Sequence, residues 1–255
     1  MFRKYVLSII CLYLLSTSLV GQNNGLSDGY ENGTTLNVLY RRDMSGKLYA
    51  NTRGYGVLFR QGKHITAKTR SFYEIDLQSL KYPKEVKSQG EAPDRRRYVY
   101  GKLNTVFLLR GGIGLQNVLF EKADNKAVEV RYSYSLGPVF AFAKPYYYQI
   151  YKGVNGQKID YIKFNSNDVS ADSSGRIIGR GGYTKGLNEM KIYPGISGKF
   201  NLSFEYAPYT NLIRAIETGV SVEYYPKALP LMALNPAENI LVTLHVGFVF
   251  GRKWY

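Results

Sequence analysis

The 255-residue chain is poor in the residues that usually carry chemistry. It has one cysteine, Cys11, and two histidines, His64 and His245. Past the first segment there is no thiol, which excludes disulfides and thiolate catalysis there. No set of His, Cys, Asp and Glu has metal-ligand spacing, so neither a metal nor another cofactor is expected. No apolar run after residue 20 is long enough to span a bilayer as a helix. Acidic residues are scarce as well, 19 against 34 Lys and Arg, for a net charge of +15. Mean hydropathy is only -0.25, which argues against a helical membrane protein.

What the chain has in quantity is tyrosine, 24 residues, and glycine, 26. That composition suits strands and interfacial aromatic girdles. At the start, Arg3 and Lys4 precede an apolar stretch from Tyr5 to Leu15, with Ser16, Ser18 and Gly21 near a plausible cut. Residues 1–21 therefore read as a signal peptide. Cys11 lies inside its apolar core and lacks the small residues that precede a lipidated cysteine. Residues 22–33, rich in Gly, Asn and Ser, read as a flexible leader, and 34–255 as one β domain. An exported chain is not expected to meet nucleic acid.

The clearest pattern is the last. From Ile240 to Phe250 every even position is apolar (Ile240, Val242, Leu244, Val246, Phe248, Phe250), and the positions between include Thr243, His245 and Gly247. A period of two marks a strand with one greasy face. Its edge carries no charge or proline to blunt it, so it must be paired on both sides. Closure into a transmembrane β-barrel satisfies both demands, with Trp254 and Tyr255 at an interface.

Earlier segments repeat the pattern. Strands are expected at 34–42, 47–60, 64–78, 98–121, 128–146, 188–206 and 212–226. Turns are expected at Asp43–Gly46, Gln61–Lys63, 123–126 and 207–210, and a kink at Gly111–Gly112. Long loops fall at 79–97, 152–186 and 227–238. The facing of 47–60 is ambiguous, because Arg53 shares parity with Tyr55, Val57 and Phe59. The count is eight strands in an up-and-down antiparallel barrel, or ten if loop 152–186 hides a hairpin. Short turns at one end and long loops at the other match outer-membrane barrels.

The signal peptide, the alternating strands and the aromatic end Phe248-Val-Phe250…Trp254-Tyr255 resemble the small outer-membrane β-barrel superfamily of Gram-negative bacteria, in particular Bacteroidota-type members. The resemblance implies fold and outer-membrane location, and hardly any activity. One departure is that Gly251-Arg-Lys-Trp-Tyr255 extends past Phe250, where such strands usually end. By family analogy, an accessory barrel of a secretion or gliding machine is one expected role.

The inward parity collects Arg41, Lys68, Arg70, Glu74, Asp76, Lys102, Arg110, Glu129, Arg131, Glu189, Lys191, Lys199, Glu205, Glu217, Glu223 and His245. An eight-stranded barrel is filled by its own side chains, so an ion-pair network plugging the lumen is expected; a narrow pore is the functional alternative. His245 is expected to bond a carboxylate such as Glu217 or Glu223. A nucleophile–base pair with Ser221 has no support in spacing. Gly112-x-Gly114 lies in a strand and fails the context of a phosphate loop. Asn165, Asn167, Asp168 and Asp172 do not follow an EF-hand spacing. One long loop clusters Lys81, Lys84, Lys87, Arg95, Arg96 and Arg97; a second holds Lys152, Lys158, Lys163, Arg176, Arg180 and Lys185. These basic loops suit anionic glycolipid phosphates, an acidic surface polymer or an envelope protein. The expectation is a monomeric, non-enzymatic structural or interaction barrel. A lipid-modifying or proteolytic enzyme is the contrasting class.

Overall fold

The computed structural model describes residues 42–66, 68–88, 97–122, 127–152, 158–164, 177–206, 211–233 and 235–254. The segments read as signal peptide and leader, with Thr34–Arg41, lie outside these residues.

In chain order the strands begin with β1 (Arg42–Asn51), β2 (Gly54–His64), β3 (Thr69–Leu80), β4 (Lys87–Ser88) and β5 (Tyr98–Val99). There follow β6 (Asn104–Phe120), β7 (Glu129–Pro145), β8 (Tyr147–Lys152), β9 (Lys158–Lys163) and β10 (Ile177–Arg180). A 3₁₀ turn, Leu187–Glu189, leads into β11 (Lys191–Glu205), β12 (Leu212–Leu229) and β13 (Glu238–Trp254). Eight of them close an antiparallel barrel in the order β1-β13-β12-β11-β7-β6-β3-β2. The remaining strands form a pair, β4–β5, and a three-stranded sheet, β10-β8-β9.

Loop 152–186 does contain strands, β9 and β10, but among the described residues they pair with β8 outside the barrel, so the barrel has eight strands and not ten. The terminal strand is paired on both sides, with β1 and β12. It does not stop at Phe250: Arg42 pairs with Trp254 and Leu212 with Arg252, so the apparent extension is strand.

The first hairpin differs most from expectation. Asp43–Gly46 is not a turn but the interior of β1, with Asp43 and Ser45 pointing in and Met44 pointing out. Nor is Gln61–Lys63 a turn, since β2 runs through to His64 and the reversal is closed by the Ile65 and Thr66 amides donating to the Thr69 carbonyl. The turn between β1 and β2 is Thr52–Arg53, followed by Gly54 at φ 148°. Asp, Ser and Gly are turn residues by local preference, but pairing on both sides overrides that preference here. With Arg53 in the turn, the facing of β2 is no longer ambiguous. At the far side, Tyr98–Val99 belongs to the β4–β5 pair and not to β6.

Even positions of β13 point outward, and Val246, at the centre of Glu238–Trp254, is 54% exposed. The outward positions of the other strands, such as Leu48, Ile75, Ile113, Leu136 and Ile196, are likewise exposed and apolar. The shortest barrel strand has 10 residues, enough to cross a hydrocarbon layer when tilted. A continuous apolar belt on a closed barrel is stable only in lipid. The fold is a transmembrane β-barrel.

Inside, the loop end of the lumen is apolar. Leu80, Val106, Leu108, Val139, Ala141 and Tyr225 pack there with Leu231. Leu231 comes from the β12–β13 loop, which folds into the mouth: its carbonyl accepts from the Leu103 and Asn104 amides at 3.0 and 3.4 Å. This loop caps the barrel.

Candidate functional site

Below the apolar cap the lumen holds eight charged groups in one connected set. Asp43 through Tyr49 of β1 point in at odd positions, so Lys47 enters the lumen and meets Glu217 of β12 at 2.7 Å. Arg60 of β2 bridges Glu217 at 2.9 Å and Glu74 at 3.0 Å. Lys199 of β11 joins Glu74 (3.1 Å) to Asp76 (2.6 Å). Arg110 of β6 spans Asp76 and Glu223, each at 3.2 Å. Four cations thus face four carboxylates, and the set is neutral. Tyr49 donates to Asp76 at 2.6 Å and Ser135 to Glu74 at 2.9 Å.

A second set occupies the turn end. Arg70 meets Asp43 at 2.6 Å. Arg131 reaches Glu129 at 2.7 Å and Glu205 at 3.0 Å, and Lys253 reaches Glu205 at 2.9 Å. Glu205 and Glu129 are cross-strand partners, a repulsive placement that the Arg131 guanidinium between them neutralises. Three cations again face three carboxylates. Leaving a buried charge unpaired costs several kcal/mol, which accounts for this balance.

Lys68 is not part of either set: it lies in the β2–β3 turn, exposed, against Glu121 at 3.2 Å. Its parity continued that of β3, but the strand begins only at Thr69. Lys102 is in a loop on Glu85, and Glu189 and Lys191 lie at the loop end outside the lumen. Asp43, Lys47 and Arg60 escaped the sequence reading, because the first two sat in or beside a supposed turn and the third in a strand of unassigned facing. The alternation Asp43, Ser45, Lys47, Tyr49 is the signal that would have found them.

His245 bonds the amide oxygen of Asn201 at 2.8 Å, rather than a carboxylate, and its ring lies 5.7 Å from that of Tyr49. Ser221 is engaged with Thr243 at 2.5 Å. His64 ends β2, half-buried. Among the described residues no cluster of three or more His, Cys, Asp or Glu is placed to hold a metal.

The basic loops form a different kind of site. A cavity of about 700 Å³ opens at the loop end between residues 81–87 and 97–102 on one side and residues 144–147 and 180–187 on the other. Its lining includes Lys81, Lys87 and Arg97, together with Lys144 of β7, Arg180 of β10 and Lys185. Glu85, the one carboxylate of its lining, is taken up by Lys102 at 2.7 and 2.8 Å. No carboxylate among the described residues pairs with the other six. The walls are stiffened by aromatics. Tyr148 is buried, donates to the Val99 carbonyl at 2.6 Å and accepts from the Lys102 amide at 2.8 Å. Burial pushes its phenol well above the ordinary tyrosine range. Arg180 stacks 4.3 Å from the Tyr183 ring, and Lys185 lies 4.3 Å from that of Tyr161. Lys163 and Tyr147 both donate to Glu189. Lys84 is exposed in the same loop; Arg95, Arg96, Arg176 and the 165–172 cluster lie outside the described residues.

A second concavity, about 1020 Å³, lies on the outer wall around Tyr73, Ile113 and Leu136 and is part of the apolar belt.

No family model matches the chain, and no curated protein does. Solved structures do show similarity. Neisserial surface protein A aligns at 10% identity and TM-score 0.41, over 84% of this chain and 97% of its own. Ail of Yersinia pestis, in complex with the heparin analogue sucrose octasulfate, aligns at 8% and 0.39 over 84% and 97%. The N-terminal β-barrel domain of Pseudomonas aeruginosa OprF aligns at 9% and 0.35 over 83% and 100%. At such values no residue role passes from them to this chain.

Proposed function

We propose that the protein is a non-enzymatic barrel of the Gram-negative outer membrane, delivered there by residues 1–21 as signal peptide. Its role is to hold a basic, tyrosine-rich head outside the membrane and dock it on an anionic component of the envelope. The observation that carries this reading is the partition of charge. The lumen sets sum to zero, whereas the described lining of the loop-end cavity carries six cations besides Lys102 and a single carboxylate, Glu85, which Lys102 occupies. The buried charges fit a structural role in filling the barrel. The cations of the cleft, held against tyrosines and one backbone carbonyl, suit an anion from outside the chain.

The test is recovery of the native protein in mild detergent from its own outer membrane, by an affinity tag inserted between β8 and β9. Co-recovery of a stoichiometric envelope protein or of anionic glycolipid supports a docking barrel. Recovery in the inner-membrane or soluble fraction, or bare of any anionic component, overturns it.

A further inference from the structure

The cavity lies over the outer wall, touching the lumen core only at Leu80. Its floor includes a row of outward-facing residues. Tyr55 of β2 pairs with Ser79 of β3, and Ser79 pairs with Phe107 of β6, so the three form one row on the outer wall. All three line the cavity. Below them the same faces continue without a break into Val57 and Phe59, Leu77 and Ile75, and Leu109. Above them stand the cations. Lys81 follows Ser79 by two residues, about 7 Å along a strand. Lys144 is paired with Thr105, two residues from Phe107 toward the loop end. Lys144 shares the outward parity of Tyr134 and Leu136, yet it is buried and its ammonium donates to the Tyr183 carbonyl at 2.6 Å.

We propose that this cleft is the headgroup site for a phosphorylated glycolipid of the outer leaflet, its acyl chains lying along the wall below Tyr55 and Phe107. The inference rests on the outer-membrane reading above and names the ligand class for it. Six cations lining one cleft suit a headgroup with two phosphates. Arg97 and Arg180 offer bidentate geometry to phosphate oxygens. A soluble polyanion would make no use of a floor that is aromatic and continuous with the lipid-facing belt; an anchored lipid uses both parts at once.

The experiment uses the full chain, purified and placed in phosphatidylcholine nanodiscs. Native mass spectrometry then counts binding of three probes: a hexa-acylated glucosamine disaccharide bisphosphate, the same lipid without phosphates, and the deacylated disaccharide bisphosphate. The expected result is saturable binding of the first, and at least tenfold weaker binding of the other two. The triple variant Lys81→Gln, Lys87→Gln, Arg97→Gln should weaken binding of the first probe at least tenfold while keeping the heat-modifiable gel mobility of a folded barrel. Lys68→Gln, at the opposite end, should change nothing. Binding independent of the phosphates overturns the proposal, and so does a Lys68→Gln loss equal to the triple variant's. Equal binding of the deacylated probe also overturns it, since the cleft would then be a soluble-anion site. If these probes fail while the tagged protein still recovers an envelope partner, the glycolipid site falls and the docking barrel stands.

Discussion

At the residue scale, Tyr49 shows how single positions make room for the lumen network. Its cross-strand partners on both sides are glycines, Gly247 on β13 and Gly56 on β2. A Cβ at Gly56 would fall 2.4 Å from the Tyr49 hydroxyl, and one at Gly247 would fall 2.5 Å from both the Leu48 carbonyl oxygen and the Tyr49 Cβ. Gly56→Ala and Gly247→Ala should each cost about 1–3 kcal/mol by overpacking, read as a lower urea midpoint in lipid vesicles. Gly62 plays the same part for Asp43, whose Oδ1 would lie 2.4 Å from a Cβ there. Arg60 is the hub of the charged set, holding Glu74 and Glu217 together. Arg60→Met leaves the set with three cations and four carboxylates, and should cost about 3–5 kcal/mol, the range for breaking a buried pair. Adding Glu217→Gln restores the balance and should recover part of that loss in the same titration. A flat response to Arg60→Met would show that the network contributes little to stability.

At the element scale, β13 closes the barrel and its even face meets lipid. Val246→Arg should destabilise by about 2–4 kcal/mol, the cost of an arginine at the bilayer midplane, whereas a polar substitution at Thr243, which faces inward, should not follow that depth dependence. The β8–β10 sheet is held differently, by exposed polar contacts onto Glu189. The hydrogen bond from Lys163, followed by that from Tyr147, holds the Glu189 carboxyl below the usual carboxylate range. A depressed value in the folded state means that the contact is complete above the ordinary carboxylate pKa and is lost as pH falls through the lowered one. Amide exchange in 147–150 and 159–163 should therefore quicken on acidification, and Glu189→Gln should remove that pH response.

At the scale of the whole molecule, charge is sorted by place. Balanced pairs fill the lumen beneath an apolar cap, and among the described residues cations outnumber carboxylates in the lining of the loop-end cleft. A plugged lumen should be silent in planar bilayers, and Arg110→Ala should loosen the plug, because Arg110 spans two carboxylates on different strands. Steady single-channel conductance in the unaltered protein would contradict the plugged reading.

Period-two alternation alone determined that this chain makes a β-barrel, which faces are apolar, and that its last strand needs a neighbour on each side. That pattern is written along a single strand, because successive side chains point to opposite faces. Arg70, Asp76, Arg110, Glu129, Arg131, Lys199, Glu205 and Glu223 were legible in the same way. The tertiary structure decided what depends on a partner far along the chain. Asp43–Gly46 looks like a turn until β13 and β2 are seen pairing with it. Strands β8–β10 look like candidates for the barrel until their pairing is seen to be with one another. The loop-end cleft joins Lys81 and Arg97 to Lys144 and Arg180 across the outer wall, and no sequence spacing encodes that meeting, because cross-strand register and loop folding create it.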